Sequence, residues 1–189
     1  MRLGILGGTF NPVHLGHLRL AEEAMRQLAL DKVIFVPAYI SPFASTDDAV
    51  SVENRLVMLE NTLKAFKFFE VSTYELDKKN TSYTIDTIKH FNKNLKENDK
   101  LYFIAGGDIT ARLNEWKDID ELCKICTFVI ARRPGFNEES KIDEVEYVDI
   151  EAIDTSSSKI RDLIKNNNDF QFMVPPEVFK YINKKNLYR

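Results

Sequence analysis

The chain has 189 residues, 44% hydrophobic and 29% charged, which suits one domain with a continuous core and is ordinary for a soluble globular protein. No stretch approaches the roughly 20 apolar residues of a membrane span, and Met1-Arg2-Leu3 runs straight into a strand-like segment without a signal-peptide pattern, so the expectation is a cytoplasmic protein with no membrane partner. With 26 basic against 29 acidic side chains the formal charge is −3, which speaks against a dedicated nucleic-acid binder but leaves room for phosphate ligands, because those need only a few local cations.

Residues 3–6 form a short apolar run stopped by Gly7-Gly8, and residues 15–28 carry apolar side chains at helical spacing. Residues 32–36 read as a second strand ended by Pro37. After a loop rich in Pro, Ser and Asp, Ser51 is placed to N-cap a helix reaching about residue 63. A strand is predicted over 68–73, then a helix over 82–95 with Ile85, Ile88 and Phe91 on one stripe. Residues 101–105 are a nearly all-apolar strand, as expected for one covered on both faces. Short helices over 109–116 and 119–123 lead to a strand over 126–131, a last strand follows over 146–150, and helices over 157–165 and 177–184 finish the chain.

Strands separated by helices imply parallel pairing, hence an α/β open doubly wound sheet. The whole chain, 1–189, reads as a single domain, with the helices from about residue 156 packed on it. In such sheets the ligand sits at the carboxyl ends of the strands, near the point where strand order reverses. Cys123 and Cys126 form a CxxC, but the pair closes a helix rather than opening one, and no second pair accompanies it, so two inert, partly buried thiols are expected.

The segment Gly7-Gly8-Thr9-Phe10-Asn11-Pro12-Val13-His14-Leu15-Gly16-His17 links the first strand to the first long helix. Gly7 and Gly8 allow positive φ and close approach of a ligand to backbone, and a helix N-terminus suits phosphate oxygens. His14 and His17 lie three apart, on one face of a helical turn, and Gly16 leaves space where a side chain would crowd a ligand. The segment matches neither GxGxxG nor the GK[ST] ending of a P-loop. From the residues alone, phosphate binding, a metal pair and a purely structural turn all stay open.

GGTFNPVHLGH resembles the T/HxGH signature of the nucleotidylyltransferase superfamily, and its GGTFxPxHxGH form is similar to that of the bacterial nicotinate-nucleotide adenylyltransferases. The resemblance implies a Rossmann-like nucleotidyltransferase fold, with His14 and His17 contacting ATP phosphates beside Gly7, Gly8, Thr9 and Phe10. It extends along the chain. The stretch 154–161 resembles ISSTxIR, implying phosphate contacts for Ser156, Ser157 and Arg161. Gly106-Gly107-Asp108 followed by Trp116 resembles GxDxxxxxxxW, implying nucleotide contacts for Gly106 and Asp108 and stacking of the acceptor's pyridine ring on Trp116. The stretch 81–84 resembles SYTxDT, implying acceptor contacts for Tyr83 and Thr84, and Arg133 matches an RPG that meets adenosine. Residues 174–188 resemble the closing VPxxVxxYIxxxxLY. Phe43 and Ala44 depart from the pattern, standing where a His and a Lys are expected.

The implied function is adenylyl transfer from ATP to nicotinate mononucleotide, giving deamido-NAD and pyrophosphate in NAD biosynthesis. Mg²⁺ is the implied cofactor, held mainly by ATP phosphates, with no protein metal site. The alternatives are another phosphorylated acceptor, such as nicotinamide mononucleotide or phosphopantetheine, and a non-catalytic nucleotide-binding regulator. The sequence does not fix the oligomeric state.

Overall fold

The computed structural model describes residues 1–43, 50–106, 113, 115–132, 145–150 and 154–189. In chain order its elements are β1 (Arg2–Gly8), α1 (Leu15–Gln27), β2 (Lys32–Pro37), α2 (Val52–Leu63), β3 (Phe69–Val71), α3 (Tyr74–Lys78), α4 (Thr84–Asn92), β4 (Lys100–Ala105), α5 (Ile119–Ile125), β5 (Thr127–Arg132), β6 (Val145–Asp149), α6 (Ser157–Lys165) and α7 (Pro176–Lys185). The described strands form one sheet in the order β3-β2-β1-β4-β5-β6, with every neighbouring pair parallel. This is the doubly wound arrangement that the strand–helix alternation predicts.

Side-chain alternation along the strands sorts the core into two layers. Leu3 and Ile5 of β1 point to one face with Phe103, Phe128 and Ile130, where Ile85 and Ile88 of α4 and Leu122 of α5 cover them. Leu6 points to the other face with Phe35, Ile104 and Val129, under Ala21 and Ala24 of α1 and Met58 of α2. Ile160 and Ile164 of α6 and Val178 and Ile182 of α7 join this second layer, so the two last helices share a core with the sheet. Gly4 faces the same crowded side: a Cβ there would lie 2.9 Å from the side chains of both Ile104 and Leu30.

Element bounds differ from the sequence reading where side chains compete for backbone. The strand predicted over 68–73 stops at Val71, because Ser72 accepts the Tyr74 N–H at 3.3 Å and the Thr73 hydroxyl donates to Asp77 at 2.8 Å, opening α3. The helix predicted from residue 82 begins at Thr84. Ser82 is held back, its amide bonded to Ile40 O at 2.8 Å and its hydroxyl accepting the Tyr39 N–H at 3.0 Å. Most of the helix predicted over 109–116 lies outside the described residues. Cys126 ends α5 with its thiol on Leu122 O at 3.4 Å, and burial pushes that thiol up to about 12. Both cysteines are free thiols. Among the described residues no helix is long and apolar enough to cross a membrane.

The chain leaves β1 toward β2 and β3, then returns to the other side of β1 with β4. This reversal opens a crevice at the carboxyl ends of β1 and β4. Gly7-Gly8 lies on one side of it and Ala105-Gly106 on the other.

Candidate active site

A cavity of about 960 Å³ occupies that crevice, at the upper end of the size range of small-molecule sites. Its middle is walled by Gly7, Gly8, Thr9, His14, Gly16 and His17. From there one lobe runs over the face covered by α4 and α5, bordered by Phe43, Glu75, Ser82, Tyr83, Thr84 and Trp116. The other lobe runs over the opposite face, bordered by Arg19, Leu20, Ala131, Ile150, Thr155 and Ser156.

The two histidines meet at the start of α1. His14 is the N-cap residue with extended backbone, and its ring stacks on that of His17 with centroids 3.7 Å apart. The His14 N–H donates to His17 Nδ1 at 3.2 Å, the returning half of a capping box. Because Nδ1 of His17 accepts, its neutral ring carries the proton on Nε2. Phe10, buried at φ 49°, meets His17 edge-on at 4.9 Å. Burial lowers the His14 imidazole to about 4, and burial together with neighbouring His14 holds His17 well below the usual range. Both rings are therefore neutral near pH 7. Nδ1 of His14 is buried without a hydrogen-bond partner among the described residues and lies against Gly16, so the ring can meet a ligand only through its other edge.

The glycines act through space rather than through left-handed backbone. Gly7 and Gly8 are residues of β1, and the loop's positive φ falls on Phe10 instead. A Cβ on Gly8 would sit 3.1 Å from the Phe10 ring. At Gly16 a Cβ would meet His14 Nδ1 and Thr155 Cγ2, each at 3.0 Å. Gly16 thus makes room for two protein groups, where the sequence suggested room for a ligand.

Of the residues singled out in the sequence, Gly7, Gly8, Thr9, His14, His17, Tyr83, Thr84, Gly106, Trp116 and Ser156 border the cavity. Ser156 also caps α6, accepting the Lys159 N–H at 3.2 Å. Phe10, Ser157 and Arg161 are not among the cavity's walls. Phe10 backs His17, Ser157 Oγ donates to Pro12 O at 2.9 Å, and Arg161 Nη1 donates to Asn11 O at 2.9 Å. Lys159 is paired with Asp154 at 2.5 Å. Asp108 and Arg133, like Ala44, lie outside the described residues.

Several groups escaped the sequence reading. Arg19 and Lys117 are the Lys/Arg side chains among the described lining residues. Arg19 is paired with Glu23 at 3.1 Å, and the Lys117 ammonium lies 4.6 Å from the Tyr83 ring centre. Glu75 is buried in the first lobe and takes a hydrogen bond from the Thr87 hydroxyl. Burial raises its carboxyl above the usual range, against the lowering effect of bonds from Thr87 and Ser82. Ser72 three residues ahead of Glu75 is a capping-box spacing that could have revealed α3 and its acid. Arg55, 3% exposed, donates to Thr9 O at 2.7 Å and Tyr39 O at 3.4 Å. Tyr188 donates to Asn11 Oδ1 at 2.9 Å. Nothing local in the sequence marks these last two.

Residues 5–163 match the cytidylyltransferase-like family model. A relative in Clostridium novyi, named "Probable nicotinate-nucleotide adenylyltransferase", is 39% identical over 198 residues, covering 98% of both chains. One of the same name in a Thermoanaerobacter species is 40% identical over 201 residues, covering all of this chain and 95% of its own. Among solved structures, a Plasmodium falciparum nicotinic acid mononucleotide adenylyltransferase complexed with NaAD superposes with a TM-score of 0.81 at 20% identity, covering 99% of this chain and 97% of that one. At that identity the likeness speaks to the fold.

Proposed function

This chain belongs to the nicotinate-nucleotide adenylyltransferase family, and from that premise we propose that it transfers the adenylyl group of ATP to nicotinate mononucleotide. The observation that carries the reading is the pair of neutral, stacked histidines in the middle of a two-lobed cavity at the switch point of the sheet. One lobe suits each nucleotide, and the phosphates meet between them.

The acceptor's phosphate oxygen attacks the α-phosphorus of ATP in line. An O–P bond forms, the bond to the β-phosphate breaks, and pyrophosphate leaves with the electron pair. Such transfers are driven by positioning and charge stabilisation rather than by a protein nucleophile. His14 and His17, neutral and fixed in orientation, donate N–H groups to phosphate oxygens as charge shifts in the transition state. Gly7, Gly8 and Thr9 let the phosphates approach the backbone, and Ser156 lies at the start of α6, where a helix favours anions. Arg19, already at the cavity wall, supplies positive charge in place of the expected Lys. Ser157 and Arg161 then act from behind, holding the carbonyls of the histidine loop. Among the described residues no cluster of His, Cys, Asp or Glu is placed to hold a metal ion, so Mg²⁺ would be carried by the triphosphate and water and would there neutralise phosphate charge.

In the other lobe, Trp116 stacks on the pyridine while the turn at Tyr83 and Thr84 meets its carboxylate. The free thiols of Cys123 and Cys126 suit a reducing, cytoplasmic setting.

Pyrophosphate release measured with ATP and, in turn, nicotinate mononucleotide, nicotinamide mononucleotide and phosphopantetheine tests the reading. Release should be fastest with nicotinate mononucleotide. Faster release with another acceptor overturns the substrate, and none with any of them replaces the enzyme with a nucleotide-binding regulator.

A further inference from the structure

Phe43 follows β2 on the rim of the acceptor lobe, with 38% of its surface exposed. Its ring lies nearly parallel to Trp116, the planes inclined by 23° and the centroids 6.1 Å apart. Trp116 is fixed from behind, crossing Phe103 at 5.4 Å and 71° and Phe128 at 6.0 Å and 66°, both of them core residues. One aromatic wall is therefore anchored in the core, and the other stands at the rim.

Flat rings in contact lie roughly 3.5 Å apart, so two rings enclosing a third have centroids about 7 Å apart. The Phe43–Trp116 separation of 6.1 Å is within the range of an offset-stacked pair, so a pyridinium ring that enters between them replaces one ring contact with two, as the rim residue moves outward. The nicotinate ring of the acceptor is flat and, being joined to ribose through its nitrogen, cationic. A cation between two π faces gains from both, while covering Phe43 removes exposed apolar surface from water.

We infer that Phe43 is the second wall of the acceptor site, closing on the outer face of the pyridinium ring opposite Trp116 and setting a preference for acceptors with a flat cationic ring. The inference rests on the proposed acceptor.

Trp116 is the chain's single Trp, so intrinsic fluorescence reports this slot directly. Titrating nicotinate mononucleotide into the wild-type protein should quench the emission, and Phe43→Ala should raise the Kd read from that quench by about tenfold with the KM for ATP unchanged. Phe43→Leu, which keeps apolar bulk without a π face, should lose nearly as much, and Phe43→Trp should retain binding, read by calorimetry because it adds a second indole. Wild-type quenching with an unchanged Kd in Phe43→Ala overturns the second wall and leaves the acceptor intact. Wild-type protein that neither quenches nor releases pyrophosphate with this acceptor overturns the acceptor reading, and the inference with it.

Discussion

His14 shows how one residue's burial contributes to the pH response of the whole protein. Its imidazole takes up a proton near 6.5 in an unfolded chain and only near 4 in the folded one. Between these values the unfolded state binds more protons, so stability rises with pH. The contribution is fully present above about 6.5 and is lost as the pH falls toward 4. It amounts to about 3 kcal/mol for His14 alone, and His17 is shifted in the same direction. In the absence of nucleotide, the urea midpoint should therefore drop between pH 7 and pH 5, and His14→Asn should reduce that drop. Equal drops in the two proteins would show that the buried imidazole is not its source. The same desolvation serves the proposed chemistry, since a neutral imidazole that lines the cavity can donate an N–H to a phosphate oxygen.

At the scale of elements, α1 and α6 begin side by side and touch at Gly16. An alanine there would press on His14 Nδ1 and Thr155 Cγ2, each 3.0 Å from the new Cβ, and either the ring or the start of α6 must shift by a few tenths of an ångström. Overpacking of this kind costs about 1–3 kcal/mol, whereas small misplacements of catalytic groups cost rate steeply. Gly16→Ala should fold with an unchanged far-ultraviolet spectrum and lose about 10- to 100-fold in kcat at saturating ATP and acceptor. Wild-type kcat would mean that the histidine geometry tolerates the methyl group. The elements themselves were largely legible in the sequence: β1 and β4 carry apolar runs and α1, α2, α6 and α7 apolar spacing or capping signals, and all of them sit where these signals put them. α3 was not, because five residues give too little period to read, and its signal lay in the local side-chain bonds of Ser72 and Thr73. The histidine loop was legible because its glycines and histidines are adjacent in sequence, although Gly16 serves the protein's own packing.

At the scale of the molecule, the histidine loop is held by groups far away in the chain. Ser157, Arg161 and Tyr188 reach Pro12, Asn11 and the Asn11 side chain across 145, 150 and 177 residues. Arg55 holds Thr9 O from α2, and the Leu15 amide is bonded to Met173 O. With the carbonyls of Thr9, Asn11 and Pro12 drawn to these donors, the loop keeps one shape around the cavity. No sequence pattern could reveal such bonds, because only the closed sheet and the packed α6 and α7 bring the partners together. Tyr188 separates bracing from packing most cleanly. Its ring is buried in the core beside the loop, while its hydroxyl meets Asn11 Oδ1, which also accepts the Val50 N–H at 3.3 Å. Tyr188→Phe keeps the ring and removes one buried hydrogen bond, at about 1 kcal/mol, which corresponds to roughly 2–4 °C in Tm for a chain of this size. Tyr188→Ala also removes the ring, at about 3–5 kcal/mol. If the hydroxyl positions the loop, then at a temperature where both variants are fully folded Tyr188→Phe should already show most of the loss in kcat, with KM for both substrates little changed, and Tyr188→Ala should add mainly instability. If kcat instead follows Tm across the two variants, Tyr188 serves the core alone and the loop is held by Arg55, Ser157 and Arg161.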